Sequence, residues 1–202
     1  MLDADSLIQL GGLLAVLLAV YGQTGLFFCF FLPSGVLLFM AGVLIANGAF
    51  DHSFFTLCIL GTLASLLGSI TGYLIGYKAG PLLYGRSDSG FFKKQHLTAA
   101  QRFYDKYGSW ALSIGVFFPV IRTFGPMVAG VIRLKFSRVV WFALLGAIGW
   151  ITSFAAAGYL IGSMPFLRPY LNYVVVAVLI AVTTPVVIKI VHGLKENAHN
   201  DA

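Results

Sequence analysis

The sequence predicts an all-α integral membrane protein: an inverted repeat with two opposed re-entrant helical hairpins and about four transmembrane helices. Hydrophobic residues make up 59% of the 202-residue chain and charged residues only 10%. A soluble domain would carry about a quarter charged residues. The repeat is predicted by two further observations, a five-residue string that occurs twice and a proline-containing segment upstream of each copy.

Long runs without Asp, Glu, Lys or Arg predict the membrane helices. These runs are residues 6–50, 53–77, 139–167 and 169–188. A helix that spans the hydrocarbon core needs about 20 apolar residues. We therefore expect helices near 6–22, 53–78, 138–163 and 170–190. The first is expected to be permanent, because the start MLDADS lacks the basic region of a cleaved signal peptide.

The string GYLIG occurs at 72–76 and again at 158–162, an offset of 158 − 72 = 86 residues. Upstream, Pro33 and Pro119 each follow a pair of phenylalanines, and their offset is also 119 − 33 = 86. The Ala-Gly pairs that follow them are 129 − 41 = 88 apart, which indicates a two-residue insertion in the second copy. Three features near one offset indicate an internal repeat.

Each repeat is expected to be a hairpin followed by a spanning helix. The expected units are repeat 1 at about 25–80 (hairpin 25–50, helix 53–78) and repeat 2 at about 109–163 (hairpin 109–132, helix 138–163). Proline removes a backbone donor and restricts the residue before it, so the second hairpin is expected to break near Pro119–Pro126. Each unit crosses the membrane an odd number of times, which makes the two copies antiparallel.

The basic residues are expected to fix the orientation in the membrane. The net charge is +6, and six Lys and Arg residues lie between Lys78 and Lys106. A second basic cluster follows at Arg133, Lys135 and Arg138. The positive-inside rule places both clusters, and with them both termini, in the cytoplasm. An amphipathic helix at 91–107 is expected on the cytoplasmic surface within the linker 81–108. Charges at membrane borders make nucleic-acid binding a poor explanation.

Glycines at four-residue spacing are expected to serve packing. Gly68, Gly72, Gly76 and Gly80 recur on one face of the helix predicted at 53–78. Small residues at this spacing let membrane helices approach closely. Tyr73 and Tyr159 are expected to be packing or interface residues.

The motifs resemble the DedA family of bacterial inner-membrane proteins, relatives of the VTT (SNARE-associated) proteins of eukaryotes. The resemblance covers roughly residues 20–163. It rests on LPSGVLLFMAG, on GSITGYLIGYKAG, and above all on FFPVIRTFGPMVAG joined to the downstream GYLIG. It implies two opposed re-entrant hairpins and movement of lipids between leaflets, with phospholipids or undecaprenyl phosphate as substrates.

The chain departs from the pattern of this family at several charged positions. The resemblance implies a Glu at Gln23, an Asp near Gly35 and an Asp at Ser69. It also implies a second hairpin arginine at Val116 and an Asn at Ala143. The acids and one arginine are absent together, which is typical of the loss of an internal charge network. Carboxylate-based proton coupling is therefore not expected, and passive scrambling or gradient-driven exchange fits better.

We expect a transporter or scramblase of phosphate-bearing lipids in the bacterial inner membrane. Arg122 is the charge predicted inside the hairpin core, and its planar fork suits a phosphate. It could instead cap hairpin carbonyls or snorkel to the interface. Arg133 could contact a headgroup or serve topology. The candidate substrate-binding residues are Arg122, Pro119, Thr123, Pro33, Ser34, Gly35, Gln23, Ser69 and Arg133.

Other classes of function remain as alternatives. The most serious is a non-transporting membrane scaffold, and an ion channel is a weaker one. No nucleophile–base set indicates an enzyme, and no His/Cys cluster indicates a metal. We expect no cofactor. The expected partners are membrane lipids with phosphate headgroups, with a homo-oligomer left open.

Overall fold

The computed structural model describes residues 4–26, 29, 33–85, 110–117 and 119–164. Within these ranges the regular structure is helical, with no strand. The helices are α1 (Ala4–Gly25), α2 (Ser34–Ala46), α3 (Phe54–Gly85), α4 (Trp110–Gly115), α5 (Pro119–Val131) and α6 (Phe136–Ser163). The helices expected at 91–107 and 170–190 lie outside the described residues.

Two of the helices are long and apolar enough to cross a membrane. They are α3 over Phe54–Gly80, with 27 residues, and α6 over Phe136–Ser163, with 28 residues. At 1.5 Å per residue each extends about 40 Å, more than the ~30 Å hydrocarbon core. Their bounds overlap the spans expected at 53–78 and 138–163, and α3 continues past Lys78 to Gly85.

Helices α2 and α5 are too short to cross the membrane. Each has 13 residues and therefore extends about 20 Å. A proline marks the start of each helix. Pro33 precedes α2, and its carbonyl accepts from the backbone N–H groups of Val36 and Leu37 at 3.0 and 3.2 Å. Pro119 is the first residue of α5, a position where its missing N–H costs nothing.

We expected the second hairpin to break near Pro119–Pro126. This prediction is wrong for Pro126, which lies inside α5. The interruption comes earlier, because α4 ends at Gly115 and α5 begins at Pro119. A Cβ placed on Gly72 would lie 3.6 Å from the Cβ of Pro126, so this proline packs directly onto α3. Proline inside a membrane helix is tolerated where a neighbouring helix supports it.

Helix α2 packs mainly on α6, and the two helices run in the same direction. Gly158 faces the backbone of Phe39, and one turn later a Cβ on Gly162 would lie 2.9 Å from the Cα of Val43. Because the residue numbers of the contacting pairs increase in the same direction on both helices, the two helices are parallel. Such close backbone approach requires residues without a side chain.

Helix α5 packs on α3 in the same manner. Gly76 faces the backbone of Met127, and a Cβ on Gly80 would lie 3.2 Å from the carbonyl oxygen of Val131. These two helices are therefore also parallel. The packing role expected for the α3 glycines agrees with these contacts. Each short helix thus lies on the long helix of the other half of the chain.

Helix α1 ends beside the middle of α3. A Cβ on Gly12 would lie 3.2 Å from the ring of Phe50, just before α3 begins. A Cβ on Gly25 would lie 2.8 Å from the carbonyl oxygen of Gly68. Gly68 is near the middle of the span Phe54–Gly80, since 68 − 54 = 14 and 80 − 68 = 12. The helix expected at 6–22 lies within α1, and the last turn of α1 lies at mid-length of the long helix α3.

Replacing Gly158 by Ala is expected to destabilise the protein, because the new methyl group overlaps the backbone of Phe39. Overpacking of this kind costs about 1–3 kcal/mol. Gly149→Ala on the same helix is the matched control, since its Cβ would have only Phe117 Cζ near it, at 3.9 Å. Thermal unfolding in detergent measures both variants. Equal melting temperatures for the two would contradict the close approach of α2 and α6.

Candidate functional site

Five buried polar residues gather where α1 ends and where α2 and α5 begin. Gln23 and Thr24 lie in the last turn of α1, Ser34 begins α2, and Arg122 and Thr123 lie in the first turns of α5. All five are buried. Hydrogen bonds between α1 and the other two helices connect them, as described below. We refer to these residues as the central polar cluster.

The central polar cluster lies at mid-length of both long helices. A Cβ on Gly68, at the middle of the α3 span, would lie 2.9 Å from the Cβ of Thr24. Arg122 stacks on Trp150 of α6. Trp150 is central in Phe136–Ser163, since 150 − 136 = 14 and 163 − 150 = 13. In a helix pair that spans a bilayer, this level is the middle of the hydrocarbon.

Arg122 is held by one hydroxyl group and one aromatic face. Its Nε and Nη2 donate to Thr24 Oγ1 at 3.2 and 3.1 Å. The Thr24 hydroxyl donates its own proton to the Val20 carbonyl at 2.8 Å, so its lone pairs face the guanidinium. The Arg122 Cζ lies 3.5 Å from the centroid of the Trp150 ring. Only 2% of Arg122 is exposed.

No carboxylate among the described residues neutralises Arg122. Across residues 11–80 and 110–164 the sequence contains one acidic residue, Asp51. Asp51 is exposed in the loop between α2 and α3. The face of Trp150 attracts the cation through its ring electrons but does not cancel the charge. Helices α2 and α5 also begin here, and helix N-termini carry partial positive charge. The site is therefore electropositive.

Gln23 connects the three helices that meet at the site. Its side-chain Oε1 accepts a hydrogen bond from Ser34 Oγ of α2. Its main-chain carbonyl accepts from Thr123 Oγ1 of α5 at 2.9 Å. Gln23 therefore joins α2 through its neutral side-chain amide and α5 through its main-chain carbonyl, at the position where the resemblance implies a Glu.

Gly35 allows α2 to approach the ring that supports Arg122. A Cβ on Gly35 would lie 3.0 Å from Phe154 Cε1 and 3.3 Å from Trp150 Cζ2. The Trp150 and Phe154 rings contact each other with centroids 4.9 Å apart. A side chain at Gly35 would press on this aromatic pair, so the glycine leaves room for the Trp150 ring at this position.

Two of the predicted site residues are not among the five of the central polar cluster. The Ser69 hydroxyl is bonded within its own helix, donating to the Ser65 carbonyl at 3.0 Å. Arg133 is exposed in the turn after α5, about 16 Å along that helix from Arg122 at 1.5 Å per residue. Pro33 and Pro119 mark helix starts beside the cluster.

Two residues of the site were missed by the reasoning from sequence. Thr24 accepts both hydrogen bonds from Arg122, and Trp150 stacks on it. Thr24 could have been suspected because it follows Gln23 directly. Trp150 lies in the middle of an apolar run, whereas tryptophans in membrane proteins are enriched at the two interfaces. This unusual position in the middle of the run could have indicated that Trp150 belongs to the site.

The positions at which the resemblance implies charged or amide side chains are all buried here. These positions are Gln23, Gly35, Ser69, Val116 and Ala143. Val116 lies in the apolar cluster that also contains Trp150. Neutral residues at these positions leave Arg122 as the one ionisable group in the described part of the site.

The fold and the site together define an all-helical membrane protein with a polar site buried at the mid-length of its spanning helices. The VTT domain family model matches residues 32–160. The chain therefore belongs to the VTT domain family, which includes the DedA proteins, and the resemblance seen in its motifs is confirmed.

Curated relatives agree with this assignment. The chain is 34% identical over 173 residues to an uncharacterized membrane protein of Mycobacterium tuberculosis, covering 86% of this chain and 76% of the relative. It is 30% identical over 174 residues to protein DedA of Escherichia coli K12, covering 86% and 80%. It is 30% identical over 148 residues to the inner membrane protein YqjA of the same strain, covering 73% and 66%. No solved structure matches the chain.

Arg133 ends α5 in a backbone conformation that favours glycine. Its φ is 54°. Its N–H donates to the Gly130 carbonyl and the Leu134 N–H to the Ala129 carbonyl, each at 3.0 Å, which is the Schellman pattern. In that pattern the left-handed position is usually a glycine. Arginine at this position therefore carries a conformational cost.

Arg133→Gly is expected to raise the free energy of unfolding by about 1 kcal/mol, because the left-handed conformation costs a residue with a Cβ roughly that amount. Arg133→Ala removes the same charge but keeps the Cβ, so it should give no gain. Thermal unfolding of both variants measures the difference. A gain in Arg133→Ala equal to that in Arg133→Gly would attribute the effect to charge and not to the backbone.

Proposed function

We propose that the protein moves a phosphate-bearing lipid, a phospholipid or a polyprenyl phosphate, between the leaflets of the bacterial inner membrane. The observation that carries the proposal is Arg122, a guanidinium 2% exposed at mid-length of the spanning helices. Its partners among the described residues are the neutral Thr24 and Trp150. Ionisable residues inside a membrane are expensive and usually functional.

The chemistry of the site favours an anionic ligand. An arginine without a counterion attracts an anion from outside the protein, and its planar fork matches the oxygens of a phosphate. The N-termini of α2 and α5 add partial positive charge at the same level. Membrane lipids supply phosphate groups on both sides of the bilayer. A lipid phosphate is therefore the ligand that we propose for Arg122.

We infer that the fold is an inverted repeat with two re-entrant hairpins, although the first hairpin differs from the expected 25–50. Its two arms would be the second half of α1 and α2, which meet at mid-depth. The matching contacts of the two halves support this view. Gly72 packs on Pro126 in one pair of helices and Gly158 packs on Phe39 in the other. These partners are offset by 158 − 72 = 86 and 126 − 39 = 87 residues, close to the offset of the sequence repeat.

The directions of the helices support the same inference. Helix α2 is parallel to α6, and α5 is parallel to α3, as their glycine contacts show. Residues 47–53 join α2 to α3, and residues 132–135 join α5 to α6. Connections this short usually reverse the chain. If both do so, α3 and α6 are antiparallel, as an inverted repeat requires.

We propose that the loop at 132–135 is cytoplasmic and the loop at 47–53 is on the other side. The first is basic, with Arg133 and Lys135, whereas the second carries Asp51. Since Gly12 packs on Phe50, the start of α1 would share the side of the second loop. This placement replaces our expectation that the residues before α1 are cytoplasmic.

Passive movement down a lipid gradient is the mode that the sequence supports. Proton coupling through a carboxylate needs a titrating acid at depth, and residues 6–50, 53–77 and 139–167 contain none. Gln23 and Ser69 form hydrogen bonds but do not titrate near neutral pH. In this proposal the protein is a transporter and not an enzyme.

A membrane scaffold without transport is the second candidate. It is favoured by the enclosure of Arg122, which bridges α1, α5 and α6 through Thr24 and Trp150. In that role the guanidinium would hold these three helices together. The two functions differ in whether the reconstituted wild type moves lipid at all, and a transport measurement in proteoliposomes separates them.

Single-cysteine labelling tests the topology. In a background in which Cys29 and Cys58 are replaced by Ala, Asp5→Cys, Ser53→Cys and Lys135→Cys would be treated with an impermeant maleimide. Labelling of intact cells is expected at positions 5 and 53, and labelling at 135 only after the membrane is opened. Equal accessibility of positions 53 and 135 from outside would rule out the inverted arrangement. If position 53 is labelled in intact cells but position 5 is not, α1 crosses the membrane completely.

Arg122→Ala is expected to abolish lipid movement, and Arg122→Lys to restore it only in part. Lysine keeps the charge but loses the two-pronged geometry. A hydrogen bond to a charged group is worth about 1.5–3 kcal/mol, so affinity for the lipid should fall about tenfold or more. The measurement is transfer of headgroup-labelled lipid between leaflets of proteoliposomes.

Arg138→Ala is the matched control, because Arg138 is an exposed arginine on α6. It should transport as the wild type does. Thermal melting of every variant reports folding, and Arg122→Gln fills the same buried space if Arg122→Ala unfolds. Normal transport by a folded Arg122→Gln would reject the proposed role of the guanidinium, whereas the absence of transport by the folded wild type would favour the scaffold.

A further inference from the structure

The Thr24 hydroxyl occupies the edge of Arg122 that a phosphate would use. Nε and Nη2 form one edge of the guanidinium, and both donate to the single oxygen of Thr24, at 3.2 and 3.1 Å. A phosphate binds such an edge through two parallel hydrogen bonds to two oxygens. Thr24 and a phosphate therefore cannot both hold this edge in full.

We propose that Thr24 is an internal competitor for the phosphate and that Trp150 is the residue that positions the guanidinium plane for it. The inference rests on the proposed function and names the residues that set its lipid affinity. With no anion bound, Arg122 lies on Thr24. When a phosphate arrives, it replaces Thr24 on the Nε–Nη2 edge, while Trp150 stays stacked on the face.

The geometry favours this exchange. The two bonds to Thr24 are longer than the 2.7–2.9 Å typical of N–H donors on charged oxygens. Hydrogen bonds in which both partners are charged are also stronger than those to a neutral hydroxyl. The proton of Thr24 is already committed to the Val20 carbonyl. Thr24 therefore holds the arginine by acceptance alone, and a phosphate is the better acceptor.

The exchange would loosen α1 from α5. The bonds from Arg122 to Thr24 join these two helices, and the bond from Thr123 to the Gln23 carbonyl joins them again one residue away. Loss of the first connection leaves the second in place. Phosphate binding would thus release part of the contact at the end of α1 while the two helices remain attached.

Trp150 favours binding of the phosphate, whereas Thr24 competes with it. Its ring lies 3.5 Å from the Arg122 Cζ and covers a face, so it leaves the donating edge open. The ring packs against Phe154, and Gly35 leaves the space that the ring occupies. A ring fixed in this way orients the guanidinium before the phosphate binds, which lowers the entropic cost of binding.

Substitutions at Thr24 should therefore move lipid affinity and stability in opposite directions. Thr24→Val has the same shape without the acceptor, so it should bind phosphate several-fold more tightly and melt at a lower temperature. Thr24→Asp supplies a permanent counterion, so it should melt at a higher temperature and bind at least tenfold more weakly. Thr24→Ser keeps the acceptor and should resemble the wild type.

Trp150 variants give the second arm of the test. Trp150→Leu should bind phosphate several-fold more weakly, and Trp150→Phe should retain most of the affinity because it keeps an aromatic face.

Thr71→Val is the matched control. Thr71 contacts Tyr21 of α1 at 3.1 Å, so this variant weakens an α1–α3 contact without touching Arg122. Its lipid affinity should equal that of the wild type.

The probe is dioctanoyl phosphatidic acid, with dioctanoylglycerol as the same lipid lacking a phosphate, titrated onto the full-length protein in detergent. If the wild type binds both lipids equally, the proposed function itself fails. If the wild type prefers the phosphate but Thr24→Val and Thr24→Asp bind as it does, the competition fails and the proposed function stands. Thr24→Asp alone decides the question if Thr24→Val does not fold, because weaker binding supports the competition and unchanged binding rejects it.

Discussion

The contact of one guanidinium with a hydroxyl and an indole is the interaction on which the centre of this fold depends. Arg122 is buried at a depth where a charge is expensive, and its described partners are neutral. Each partner is in reach because of a break or a small residue elsewhere. Thr24 reaches Arg122 because α1 ends at Gly25 beside the middle of α3. Trp150 reaches it because Gly35 leaves room for the ring.

Close helix packing on either side of the site makes this arrangement possible. In a bilayer, helices associate through tight packing and hydrogen bonds, because lipid tails are as apolar as the side chains. The contacts of Gly158 with Phe39 and of Gly76 with Met127 bring backbones together without intervening side chains. The two short helices are thereby held from their middle turns onward. Their first turns, which carry Ser34 and Arg122, can then lie at mid-length of the long helices, although each short helix has only 13 residues.

The sequence predicted those features that depend on composition and on single residues. Charge-free runs indicated α3 and α6, Pro33 and Pro119 indicated the starts of the short helices, and an arginine among prolines indicated the centre of the site. It did not predict features that depend on neighbours. Pro126 stays helical because α3 supports it. The length of the apolar run predicted a helix at α1, but it did not predict that the end of α1 packs at mid-length of α3. Thr24 and Trp150 join the site across helix boundaries that no local pattern records.

The neutral surroundings of Arg122 are consistent with retention of the arginine after loss of the acids that the family resemblance implies. An acid beside the guanidinium would form a charge pair, and a phosphate would then have to displace a carboxylate. A hydroxyl at 3.1–3.2 Å is a weaker competitor. Gln23 keeps the hydrogen bonds that join the two chain breaks without adding charge. If the proposed function holds, a lipid phosphate would supply the missing negative charge, and the site would reach electrostatic balance only when the lipid is bound.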